Sequence, residues 1–219
     1  LVTEMLLYLY IIAQYFDQPF SKTYVSQLRK MLKVLHVIEK SDHTIPQIGD
    51  NDSGFSLCFD FDNYNLNISN LSHLSQRNNL ITLEDNNRGF FTYEDAGFHL
   101  YKNDGIYLLI TTGPKELLGL GSHAHNDILS FILNVNGKDI LVDPGSFVYT
   151  SDPTMRNQFR SVLSHNTLFW DGLEPRNLDE GLFKLNEIGN VKIDSISGGK
   201  SELFFRGRYD YKRRYHQRS

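Results

Sequence analysis

The 219-residue sequence is nearly without cysteine. Cys58 stands alone, which excludes a disulfide framework and a thiolate metal cluster, because each needs at least two thiols. A single cysteine does not fix the redox compartment. There is no apolar run of the roughly 20 residues that a membrane-spanning helix requires. The nearest approach, Leu1–Phe16, is interrupted by Glu4 and Gln14 and reads as a buried helix. Excess positive charge is missing too: the net charge is -4, so nothing favours nucleic acid in bulk. The basic run Lys212–Arg218 is too short to count as a nucleic-acid patch and reads as the start of a strand. No internal repeat is visible. The chain begins at Leu1 rather than Met and stops after a strand-like run, so both ends read as cuts through a longer protein. The lack of a leader is then uninformative about export.

What is present is aromatic and apolar: 15 Phe and 12 Tyr in a chain that is 40% hydrophobic. That suits a packed protein rich in β structure. Leu1–Phe16 is apolar nearly all round, as expected of a helix packed on several sides. Asp17-Gln-Pro19 breaks it, Ser21 is placed to cap a second helix, and Tyr24, Leu28, Met31 or Leu32, Leu35 and Ile38 follow helical spacing. A helical hairpin this small does not bury both its faces, so it is expected to end a larger helical domain. The stretch 44–54, carrying Asp50 and Asp52, is rich in turn residues. It reads as an exposed connection or as a loop lining a site. Residues 55–88 read as a linker with short helical or irregular pieces. From Gly89 the pattern changes to short strands. Phe90–Tyr93, Gly97–Tyr101 and Ile106–Thr112 come first, the last two joined by the hairpin turn Asn103-Asp-Gly105. Ile128–Val135 and Asp139–Val142 form a second hairpin turning at Asn136-Gly137. Further strands are expected at Phe147–Tyr149, Thr167–Trp170, Phe183–Ile193 with a break near Gly189, and Glu202–Arg208. The fold class is mainly β, an antiparallel sandwich over 89–219 preceded by helices.

Three polar segments stand out within the β half. They are Gly121-Ser-His123-Ala-His125-Asn126-Asp127, Val142-Asp143-Pro-Gly145 and Ser164-His165-Asn166-Thr167. His123 and His125 share a face if extended, or diverge if they lie in a loop. Asp143 sits at the end of a hairpin's return strand, where it can approach His125. Two imidazoles and one carboxylate with an open position suit zinc. Asn126 and Asn166 are candidates to orient the rings. Against this, a lone histidine more often fills a turn or caps a strand. Arg156 and Arg160 can grip an acidic substrate through planar bidentate donors, or serve as structural arginines. Tyr149 is a candidate acid or base, and Trp170 reads as core.

Together these motifs resemble the C-terminal part of the heparinase II/III-like polysaccharide lyases, a group related to alginate and oligoalginate lyases. The match is carried by the histidine segment, Leu-Val-Asp143-Pro-Gly145, Arg156-Asn157-x-Phe-Arg160-Ser, and Ser-His165-Asn166-Thr167. Pro46–Gly54 also resembles a loop near the end of the family's helical domain, and Glu94–Phe98 resembles its first sandwich strand. The resemblance implies that residues 1–54 end an α/α toroid, and that 89–219 are an incomplete sandwich. It implies a metal site of His125, Asp143 and His165, usually zinc, and a catalytic or substrate-neutralising role for His123. The implied reaction is β-elimination at a uronic acid in an acidic polysaccharide, in the periplasm or cell envelope, with no redox cofactor. The family's catalytic Tyr and Asn or His would lie upstream of Leu1. Two other readings compete: a metal-stabilised sandwich that binds glycan without cleaving it, and a metal-dependent glycan hydrolase.

Overall fold

The computed structural model describes residues 1–51, 69–81, 88–113, 121–185, 190–198, 202–211 and 214–218. Asp52, Cys58 and Gly189, singled out above, lie outside the described residues. The chain divides into two units. One holds Leu1–Ile45 and the described part of Asp52–Asn87; the other holds Pro46–Asn51 and the described part of Arg88–Ser219.

The first unit is helical: α1 (Val2–Tyr15), α2 (Lys22–Ile38) and α3 (Ser69–Arg77). Ser21 caps α2, its hydroxyl accepting from the Tyr24 N–H at 3.2 Å, which satisfies one of the donors a helix start leaves open. Leu28 and Leu32 of α2 bury against Leu7 of α1 and Leu80, with Leu71 and Leu74 of α3 alongside. The Tyr24 hydroxyl ties the two long helices by donating to the Leu6 carbonyl at 2.7 Å. The expectation that α1 is covered on several sides is not met within this unit. Only Glu4 and Leu7 are buried, while Met5, Leu9 and Ile12 are exposed. The α2–α3 pair meets one face of α1 and leaves the rest of an apolar helix open. No described helix is long and apolar enough to cross a membrane.

The second unit is a β-sandwich. A five-stranded antiparallel meander runs β1 (Gly89–Tyr93), β2 (Phe98–Lys102), β3 (Ile106–Thr111), β4 (Phe131–Val135) and β5 (Lys138–Leu141). A three-stranded sheet follows, β6 (Asn190–Gly198), β7 (Leu203–Tyr211) and β8 (Arg214–Arg218). The core joins Ile110, Ile128 and Leu129 of the first layer to Phe205 and Tyr209 of the second, with Trp170 packed against them. Both expected hairpin turns are present. At Asn103 the side-chain oxygen accepts from the Gly105 and Ile106 N–H groups, and Asn136 and Gly137 both take positive φ, as such two-residue turns require.

One expected strand is shorter than its sequence suggested, and two are absent. Ile128–Ser130 is a turn entering β4, with Leu129 at φ 58°. Phe147 also has positive φ, and the Val148 N–H closes back on the Ser146 carbonyl at 2.6 Å, so Phe147–Tyr149 is a tight turn. Thr167–Trp170 is not a strand: a bend at Thr167 is followed by three residues without regular structure. A helix that was not expected, α4 (Pro153–Arg160), lies between them. Asp152 caps it, accepting from the Thr154 and Met155 N–H groups, and Pro153 occupies the first turn, where its missing N–H is harmless.

Candidate functional site

The histidine segment reaches its place through backbone ties to the end of β3. Gly121 takes φ +60°, and a Cβ there would lie 2.1 Å from the Leu185 carbonyl oxygen, so only glycine fits. Next, the Asn126 N–H donates to the Arg160 carbonyl and the Leu129 N–H to the Thr111 carbonyl, both at 2.9 Å. The Thr111 hydroxyl returns a bond to the Asp127 carbonyl at 2.6 Å. This path turns His125 inward, fully buried, and leaves the His123 side chain 72% exposed. The two histidines therefore diverge, as loop residues can.

Asp143 follows β5, which returns alongside β4, and His165 follows the turn that ends α4. Asn166 binds the pieces together by donating to the Phe131 carbonyl at 3.1 Å and the Val142 carbonyl at 2.8 Å. His125, Asp143 and His165 are all buried, and each offers one ligand atom within 4.8 Å of the others. The rings of His125 and His165 stand 5.4 Å apart, tilted by 40°. His165 Nδ1 pairs with Asp143 Oδ2 at 2.6 Å. The other nitrogen of each ring matters more: His125 Nδ1 and His165 Nε2 are buried with no hydrogen-bond partner. An unpaired buried ring nitrogen costs roughly 1–3 kcal/mol. Two of them beside a carboxylate make a donor set that fits a divalent cation such as zinc. Burial lowers the affinity of His165 for its proton, but the bond and charge of Asp143, and the charges of Asp127 and Glu174, raise it further, so the net shift is upward. Asp127, beneath the cluster, is pushed up chiefly by burial.

Asp50 is the residue whose importance the sequence did not reveal. Its carboxylate has no exposed surface. Oδ1 meets His125 Nε2 at 2.8 Å and accepts from the Ser146 hydroxyl at 2.8 Å. Oδ2 meets His123 Nδ1 at 3.2 Å. Arg156 grips both oxygens, Nη1 on Oδ1 and Nη2 on Oδ2, the latter at 2.6 Å. Burial alone would raise this carboxyl, but bonds from His125, Arg156 and Ser146 and the Arg156 charge hold it well below the usual carboxylate range. The loop is fixed by the Asp50 N–H donating to the His123 carbonyl at 3.0 Å and by the Tyr149 hydroxyl donating to the Asp50 carbonyl at 3.1 Å. Tyr149 is thereby engaged with the backbone.

The two arginines expected to grip an acidic substrate both lie inside the fold with no accessible surface. Arg156 faces Asp50, lies 5.4 and 5.2 Å from the ring centres of Tyr149 and Phe183, which meet edge-on beside it, and donates to the Leu182 carbonyl. Arg160 donates through Nη2 to Asn157 Oδ1 at 2.6 Å and to the Gly181 carbonyl at 3.0 Å. A guanidinium enclosed in this way does not meet a polymer unless its surroundings move. The ring-orienting role considered for Asn126 and Asn166 is also not what the structure shows, because both amides bond backbone. Asn126 reads Arg176 as a strand would, accepting from its N–H at 3.1 Å and donating to its carbonyl at 2.9 Å. Its amide also donates to Glu174, which in turn accepts from Ser161 and from the Val162 N–H. Asp50 and Asp143 are the groups that orient the rings.

Comparison with known proteins follows the same lines. Residues 85–218 match the family model described as heparinase II/III-like, C-terminal. A heparin-sulfate lyase of Bacteroides stercoris is 33% identical over 108 residues, covering 45% of this chain. One of Pedobacter heparinus is 25% identical over 169 residues, covering 71%. The chain spans 15% and 24% of the lengths of these two relatives. Among solved structures, the heparan sulfate lyase HepC of Pedobacter heparinus shares the fold over 99% of this chain and 34% of its own, with TM-score 0.68 and 18% identity. A heparinase III gene product with methylated lysines does so over 99% and 33%, with TM-score 0.73 and 19% identity.

Proposed function

Because the chain belongs to the heparinase II/III-like family through residues 85–218, we propose that it supplies one side of the active site of a polysaccharide lyase acting on uronic-acid-containing glycans. The relatives named for heparin sulfate point to a glycosaminoglycan as the substrate class. The observation that carries this reading is the divergence of the two histidines. His125 is enclosed with the metal-type cluster, whereas His123, two residues earlier, presents its ring to solvent from the same carboxylate. A purely structural metal site has no need of an exposed, anchored imidazole beside it.

In β-elimination, a base takes the proton on C5, the C4–O4 bond breaks, and C4 and C5 become doubly bonded. The departing O4 receives a proton. The C5 proton is acidic only to the extent that the neighbouring carboxylate is neutralised as charge builds on it, which is an electrostatic task. His123 is placed to meet that carboxylate or to carry a proton. Its Nδ1 is held by Asp50, so Nε2 is the atom left to face substrate. His125, Asp143 and His165 would hold zinc, which when bound would supply fixed positive charge behind the histidine segment. The burial of all three argues against a hydrolase that needs an open metal-bound water.

The test is ultraviolet absorbance of the unsaturated product when the full-length protein is given heparan sulfate and other uronic-acid glycans. His123→Ala should lower kcat by about 10²- to 10⁴-fold with the metal content unchanged. Hydrolysed ends without unsaturation would overturn the lyase reading.

A further inference from the structure

We infer that Asp50 is a positioning residue that fixes the tautomers of both histidines, turning the lone pair of His125 into the metal cluster and that of His123 outward towards substrate. The outward half rests on the proposed lyase reading; the inward half does not.

Arg156 offers two N–H groups in one plane, and they fall on the two oxygens of Asp50. That is the fork-to-fork geometry of a guanidinium with an ionised carboxylate. An ionised carboxylate only accepts. The ring nitrogens that approach it must therefore be donors: Nε2 of His125 at 2.8 Å and Nδ1 of His123 at 3.2 Å. A neutral imidazole carries one N–H and one lone pair. On His125 the lone pair is then on Nδ1, the atom that is buried without a partner. On His123 it is on Nε2, away from Asp50, on a ring that is mostly exposed. One carboxylate in the loop Pro46–Asn51 thus assigns opposite nitrogens to His125 and His123.

The anchoring of Asp50 is more elaborate than one hydrogen bond to a ring requires. Ser146 donates to Oδ1 from the turn after Asp143, and beyond the tight turn at Phe147 the Tyr149 hydroxyl donates to the Asp50 carbonyl. The segment of His123 and His125, the turn of Asp143, and α4 through Arg156 all converge on this side chain. Arg156, set against the edge-on pair of Tyr149 and Phe183, keeps the carboxylate charged without reaching Nδ1 of His125 or Nε2 of His123. Arg156 therefore acts on the reaction through Asp50 rather than by touching substrate.

The direct test is a neutron structure of the metal-free, full-length protein, with zinc affinity of the wild type and Asp50→Asn measured by competition with a chelator. Asparagine keeps the shape but replaces one accepting oxygen with a donor. Deuterium on Nε2 of His125 and Nδ1 of His123, with zinc binding about 10- to 100-fold weaker in Asp50→Asn, supports the inference. Deuterium on Nδ1 of metal-free His125, or unchanged zinc affinity in the variant, overturns it. Should the variant fail to fold, the wild-type neutron map still decides. Neither readout depends on turnover, so a protein that proves to lack lyase activity leaves this test intact. A lyase whose Asp50→Asn variant keeps full zinc affinity and kcat removes this inference alone.

Discussion

Gly49 shows how tightly the organising carboxylate is held. It takes φ +53°, and a Cβ there would lie 2.5 Å from the His123 carbonyl oxygen, the same oxygen that accepts from the Asp50 N–H. Gly49→Ala should cost about 1–3 kcal/mol in urea unfolding, the range for a strained non-glycine backbone, and should weaken zinc binding by shifting Asp50. Arg156→Met, which leaves a buried carboxylate without its cation, should cost more, about 3–5 kcal/mol by the same measurement. At this scale the sequence was informative about residues that are close in the chain or lie at hairpin ends. His123, His125, Asp143 and His165 could be grouped that way, and the structure brings the last three together. Asp50 could not, because it lies 73 residues before His123, in a turn-rich stretch where an acidic residue most often faces water. Glu174 was missed for a similar reason: it stands in an irregular segment and bonds the buried Asn126.

At the level of elements, the turn chemistry was legible and the strand content was overstated. Asn-Asp-Gly and Asn-Gly dictate φ locally, so both hairpins could be read off. Phe147–Tyr149 and Thr167–Trp170 have β-forming side chains but no strand to pair with, and propensity without a ladder does not make a sheet. The helix α4 is written in Asp152 and Pro153, a cap followed by a first-turn proline, although its short, strongly polar sequence lacks the apolar period that marks longer helices. Asp152→Ala should remove about 0.5–2 kcal/mol, seen in urea unfolding, and should displace Arg156 relative to Asp50. In the helical unit, Glu39 closes α2 between His36 and His43, the latter at 2.7 Å. Burial raises this carboxyl, but the two histidines outweigh it and the net shift is downward. A carboxyl whose value is lower folded than unfolded stabilises fully above the ordinary carboxylate range and loses that contribution as pH falls through its folded value. Glu39→Gln should flatten this acid-side loss in unfolding followed by circular dichroism, while leaving the zinc affinity of the other unit unchanged.

For the molecule as a whole, the two units give separate signals. Trp170 is the single tryptophan and packs on the sandwich core, while the long helices dominate circular dichroism. If the cluster of His125, Asp143 and His165 binds zinc only when folded, saturating zinc should move the tryptophan-detected midpoint. The gain is about 2.7 kcal/mol at a hundredfold excess over Kd. His125→Ala should abolish the shift. The division into units has one more consequence, because Pro46–Asn51 is separated in the chain from the rest of the sandwich unit. A polypeptide begun at Arg88, where composition suggests the sandwich starts, would be a sandwich with a missing keystone. Arg156 would be an enclosed cation without an anion, and His125 a ring without a fixed tautomer. Added back as a separate peptide spanning residues 44–51, the loop should rescue zinc binding in trans, and the same peptide carrying Asp50→Asn should not.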